Sequence, residues 1–247
     1  MTRLSLLVAS LLLFSLSFGQ TKKLIGIYSI NGDTSFWYKY HLNQLEKLSL
    51  PSLDTISKSE HFRIWTNRQI IDISQNLNGT FEGKLITWTD EYIPNDEDPT
   101  NRSFIVAIDL NNDTFKLIRE LIHSSNILAL PTDDSIKGWQ QGVDGITYTI
   151  ERSTKDYYSF KTYWTPKAQD SIKEAKQVQE FVDSVFKLAN AQIVWKEFSK
   201  TIPYECYINS GPGVACKILT KQQRKKYLKE RRNYRQQKYL QKKGRTL

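Results

Sequence analysis

The chain has 247 residues, 39% of them hydrophobic and 12% aromatic, which excludes a disordered chain and suffices for one generous core. Its net charge of +9 is not spread evenly: residues 217–247 hold thirteen Lys or Arg against one acid, Glu230, whereas residues 20–216 carry a net −4. A uniformly basic nucleic-acid binder is thereby excluded, and the basicity belongs to a tail.

Arg3 precedes an apolar run, Leu4 to Leu16, that is too short to cross a bilayer, which needs roughly 20 apolar residues. Ser17 and Gly19 flank Phe18 as a small-x-small site before Gln20. Charge, apolar run and cleavage site in this order predict a cleavable secretory signal over residues 1–19. A single α+β domain is expected over 20–219, followed by a basic helical or disordered tail over 220–247. No later run is long and apolar enough to read as a transmembrane span.

Leu24 to Ile30 reads as a strand closed by Asn31-Gly32-Asp33. Tyr38, Leu42, Leu45 and Leu48 recur at helical spacing and predict a helix from Tyr38 to Leu50, ended by Pro51. Strands follow over Phe62 to Thr66, Gln69 to Ile73 and Gly79 to Thr89, the first two joined by an Asn67-Arg68 turn. Phe104 to Leu110 is continuously apolar and reads as a buried strand. Asp113 is expected to cap a helix running to about Ser124. After a loop over 132–145, Ile146 to Arg152 and Tyr157 to Trp164 predict a hairpin. The stripe Ile172, Ala175, Val178, Val182, Val185 and Ala189 predicts a long helix over 168–189, and residues 193–199 continue as helix. Short turns between strands imply a mainly antiparallel sheet with helices packed on one face.

Cys206 and Cys216 flank the turn Asn209-Ser210-Gly211-Pro212-Gly213. Pairing 208 with 214 places 206 opposite 216, so an exported chain is expected to close a disulfide across this hairpin.

No nucleophile elbow, zinc helix or phosphate loop occurs. The three histidines, 41, 61 and 123, have no ligand spacing and read as structural. Asp109, Asn111, Asp113 and Glu120 match positions of a calcium loop, but Thr114 stands where the sharp turn needs glycine. No metal or cofactor is expected. Asn78, Asn101 and Asn112 fit the glycosylation pattern, which has meaning only in a eukaryote.

The stretch 138–145 gathers Trp139, Gln140, Gln141 and Asp144 before the strand that ends at Trp164. Aromatic faces that stack on a sugar or peptide, with amides to hydrogen-bond to it, make these five residues the candidate ligand site. In the tail, Arg224, Lys225, Lys226, Arg231, Arg232 and Arg235 are the candidate contacts to an anionic surface.

The segments HFRIWTNRQIIDI (61–73) and DGITYTIERSTKDYYSFKTYWTP (144–166), with the cysteine hairpin and basic tail, resemble a group of uncharacterised exported proteins of Bacteroidetes bacteria. The resemblance implies export to a bacterial envelope and implies no functional residues. The sequence therefore points to a non-enzymatic exported, envelope-associated binding or structural protein, periplasmic or extracellular. Its tail is expected to meet an anionic envelope component or glycan, nucleic acid being an unlikely target outside the cell. The alternative is a hydrolase or carbohydrate-active enzyme built on the 138–145 loop, with Asp144 as one carboxylate and Glu151 or Asp133 as the second.

Overall fold

The computed structural model describes residues 22–28, 32–56, 58–94, 102–211 and 213–244. The expected signal segment lies outside them. Among the described residues no helix is long and apolar enough to cross a membrane.

Seven strands make one mixed sheet: β1 (Lys23–Ile25), β2 (Glu60–Trp65), β3 (Gln69–Gln75), β4 (Phe81–Asp90), β5 (Ser103–Asp109), β6 (Thr147–Thr154) and β7 (Tyr157–Trp164). Their order is β1-β7-β6-β2-β3-β4-β5. Every pairing is antiparallel except that of β1, which lies parallel to β7 with Leu24 beside Tyr158. That parallel edge is invisible in the short run at 24–30, which gives no sign of a partner more than a hundred residues away.

Among the described residues five helices complete the body: α1 (Phe36–Lys47), α2 (Asn112–Ser124), α3 (Lys173–Leu188), α4 (Ala191–Thr201) and α5 (Lys221–Gly244). The expectation that helices occupy one face is corrected here. Helices α2 and α3 cover the face that carries Phe62, Ile64, Ile71, Ile73, Leu85 and Ile150. Helix α1 covers the opposite face, packing Leu45 and Leu48 against Trp65, Ile70, Ile86 and Trp88. The physical reason is visible in β2, where all six residues are buried. A strand with both sides withdrawn from water needs cover on both.

Three local expectations also change. The cap of α2 is Asn111, whose Oδ1 accepts from the Thr114 backbone N–H at 2.8 Å, so Asp113 lies inside the first turn. The long helix begins only at Lys173, because Pro166 opens a separate 3-10 turn over Pro166–Ala168. Strand β5 is an edge rather than a buried strand: Phe104 and Val106 pack inward while Ile105 and Ile108 are exposed.

The cysteines form a disulfide across the hairpin of β8 (Cys206–Ser210) and β9 (Gly213–Cys216), in the register that their spacing implies. This hairpin lies on the end of β4, where Thr89 donates to Ile208 O and Tyr92 N–H donates to Cys206 O. Helix α5 docks beside it. Tyr227 is buried with Phe198, Ile202, Tyr204 and Tyr207, and its hydroxyl donates to Glu91 at 2.7 Å.

Candidate functional site

Strand register alone places a polar row under α1. Phe160, Glu151, Arg63, Asp72 and Lys84 are successive cross-strand neighbours, so acid, base and acid stand side by side on one face. Arg63 is fully buried; its Nε donates to Asp72 at 2.8 Å and one terminal nitrogen donates to Pro51 O at 3.1 Å. His61 meets the other oxygen of Asp72 at 2.6 Å. Glu151, also fully buried, accepts from the Trp65 indole at 2.7 Å and the Tyr158 hydroxyl at 2.8 Å, and faces His41 Nε2 at 3.1 Å.

Burial by itself raises the carboxyls of Asp72 and Glu151. The cations and donors around them win, and both are held down to about 2: Asp72 by His61 and Arg63, Glu151 by His41, Arg63 and the Trp65 indole. The Tyr158 hydroxyl is pushed well above its usual range by burial and by the adjacent Glu151. Both carboxylates are therefore anions committed to their neighbours, which suits them to fixing ring positions rather than to passing protons.

Those ring positions border a cleft of about 410 Å³. Helix α1 supplies Trp37, Tyr40, His41, Gln44 and Lys47, a face that recurs at helical spacing. The inner stripe of α1 is Tyr38, His41, Leu45 and Leu48, so His41 takes the inward place expected of Leu42, which is exposed. Trp65 and Trp88 are buried and meet edge to face at 5.9 Å, with His41 edge-on to Trp65 at 4.8 Å. Trp37 and Tyr40 are partly open to solvent. Across the cleft stand Trp164 and the backbone of Gly142, Val143 and Gly145. Glycine is required there, since a Cβ on Gly142 would lie 2.5 Å from the Trp164 ring and one on Gly145 would lie 2.0 Å from Thr165 Oγ1.

Charge at the cleft is gathered on one acid, with two cations against it. Asp90 takes Lys47 at 2.7 Å and Arg68 at 3.0 Å, and it also accepts from Ser103 at 2.7 Å. Thr66, Asn67, Gln44, Thr147, Thr149 and Thr162 add neutral hydroxyls and amides to the lining. Among the described residues no cluster of His, Cys, Asp and Glu is arranged to hold a metal ion.

The five candidate ligand residues are separated by the fold. Trp164 borders the cleft. Trp139 is a core residue instead, its indole N–H donating to Trp164 O at 2.9 Å and its ring packed 5.9 Å from Tyr163. Gln140 is held through its backbone, which exchanges two hydrogen bonds with the Gln169 side chain, and the side chains of Gln140, Gln141 and Asp144 face solvent outside the cleft lining. Asp133 is buried and accepts from Trp164 N–H at 2.6 Å, a loop-to-strand tie. Glu151 is buried as well, whereas Asp144 is exposed.

In the tail, Arg224, Lys225, Lys226 and Arg232 are exposed, whereas Arg231 and Arg235 are half-buried on the side of α5 turned to the body. Arg231 lies 5.9 Å from the Tyr227 ring. Trp37, Tyr40, Trp65 and Trp88 carry no motif that marks them in the sequence, and His41 reads there as structural. The usable signal was the recurrence of 37, 40, 44 and 47 on one helical face beside an apolar stripe. No protein-family model and no curated protein matches the chain.

Proposed function

We propose that this chain is an exported, non-enzymatic binding protein of the cell envelope whose cleft takes a neutral saccharide and whose C-terminal helix turns its exposed cations to an anionic surface. One observation carries the reading: Trp37, Tyr40, Trp65, Trp88 and Trp164 converge on one cleft whose Lys47 and Arg68 are both engaged by Asp90. Aromatic faces give a polyhydroxylated ring apolar cover, and the surrounding threonines and amides match its hydroxyls. The cleft volume falls in the range of sites that enclose a small ligand. Hydrolysis of a glycoside calls for two carboxyl groups facing the scissile bond. Among the described residues Asp90 is the single acid bordering this cleft, and it is already bound by two cations.

The test is calorimetric titration of the whole chain with a panel of neutral sugars, beside Trp164→Ala and Trp37→Ala. Binding without turnover, weakened about tenfold or more by either substitution, is the expected result. Release of reducing ends by the wild-type chain, or binding that both substitutions leave untouched, contradicts it.

A further inference from the structure

Three cavities meet at one end of the sheet. The tryptophan cleft shares Thr66, Asn67 and Arg68, the turn between β2 and β3, with a smaller hollow of about 300 Å³. That hollow shares Thr66, Gln69, Tyr148 and Trp195 with a third cleft of about 680 Å³ against α3 and α4, on the other face of the sheet. The path thus starts under α1, crosses the Thr66–Gln69 turn and ends beside α4. Of the six tryptophans in the chain, all except Trp139 line some part of it.

The crossing is held firmly. Thr66 N–H donates to Gln69 O at 2.9 Å, and the Gln69 amide donates to Thr87 at 3.2 Å and to Ala191 O at 2.8 Å, which ties the turn to the start of α4.

We infer that the ligand is an oligosaccharide chain, lying with one end in the tryptophan cleft and the other beside Trp195, draped over the β2–β3 turn. This inference rests on the saccharide reading and extends it from a single ring to a polymer segment. Charge and topology both favour a glycan. On the far side the charged lining residues Asp183 and Lys187 are of opposite sign, so no run of one sign is offered to a nucleic acid or an acidic peptide. One common mode of binding an extended peptide adds it to a free strand edge. The path instead crosses the ends of β2 and β3, which are both paired on both sides.

The experiment titrates the whole chain with a ladder of one neutral oligosaccharide, from disaccharide to hexasaccharide, and with a ladder of unstructured peptides. Affinity is expected to rise about tenfold or more along the sugar ladder. Trp195→Ala and Ile193→Ser are expected to remove that gain; Ile193 is exposed on the lining of the far cleft, so its replacement leaves the fold in place. Trp164→Ala should weaken every length. Affinity that does not change with length, or a gain that survives Ile193→Ser, overturns the extended ligand while sparing the cleft. Failure of every sugar to bind removes the saccharide reading itself. A length gain on the peptide ladder alone overturns the glycan assignment.

Discussion

On the face covered by α2 and α3 the strands present Phe62, Ile64, Ile71, Ile73 and Leu85, and the helices answer with Ile118, Ile122, Val178 and Val182. Under α1 the same strands present His61, Arg63, Asp72 and Glu151. The first face is held by transfer of apolar surface, a non-directional effect of about 1.5–3 kcal/mol for each large side chain fully buried. The second adds matching to the apolar cluster that Leu45 and Leu48 form with Trp65, Ile70, Ile86 and Trp88, because each buried charge is costly unless a partner meets it. Apolar packing tolerates changes of shape that keep volume; a matched polar row tolerates neither loss nor shift. The candidate cleft opens on the matched face, where Trp65 is fixed at both its indole N–H and its ring.

Removing Arg63 is the strongest way to break this contrast. Arg63→Met should cost about 4 kcal/mol, since it leaves Asp72 and Glu151 buried without their shared cation. Ile118→Ala, at the centre of the apolar face, should cost about 3 kcal/mol through a cavity. Urea denaturation measures both. Equal saccharide affinity in the two folded variants would show that the polar row does not position the cleft; a loss confined to Arg63→Met would show that it does.

Acid offers a smaller and more selective probe. Asp72 and Glu151 have folded values lowered to about 2 from ordinary values of 3.8 and 4.5. A lowered carboxyl contributes stability that is fully present above its unfolded value and is lost as pH falls through its folded one. The loss therefore belongs to the window from about pH 4.5 down to about 2, on the order of 2–3 kcal/mol for each group. Urea midpoints across that window should fall steeply for the wild-type chain and less steeply for Glu151→Gln. Parallel slopes would show that Glu151 is not a committed anion.

The smallest effect on stability is expected in the tail. Replacing Arg224, Lys225, Lys226 and Arg232 together by Gln touches neither face of the sheet, so each change should stay within about 0.5 kcal/mol. Salt-sensitive retention on anionic phospholipid vesicles should nevertheless fall, by roughly 1 kcal/mol for each charge near the surface. Unchanged retention would take the anionic surface out of the proposed function. Deleting α5 outright is a poorer test, because it also removes Tyr227 from its buried cluster.

Periodicity made most elements legible. The hairpin of β6 and β7, the turn at Asn67-Arg68 and the cysteine register all follow from local alternation and turn residues. What escaped was long-range. The run at 24–30 names no partner, so its parallel pairing with β7 could not be read. Likewise β2 alternates Phe62 and Ile64 with His61 and Arg63, which reads as one dry side and one wet side; cover by α1 makes it buried on both. The cleft was harder still. Trp164 is legible as an aromatic that follows the Trp, Gln and Asp residues of 138–145, but its companions come from α1, β2 and β4, and only the folded chain brings them together.

The placement of the cysteine hairpin also sets how the molecule carries mechanical load. A pull on the far end of α5 enters the body where Tyr227 meets Glu91, beside the hairpin that lies across the end of β4. The crosslink closes the ten-residue interval between Cys206 and Cys216, so that interval cannot run out as slack. Tension then passes from Cys216 through the disulfide to Cys206 and on into the chain that precedes it, so the hairpin loop bears none of it. Reduction of that single crosslink would release the whole interval as slack between the helix and the body.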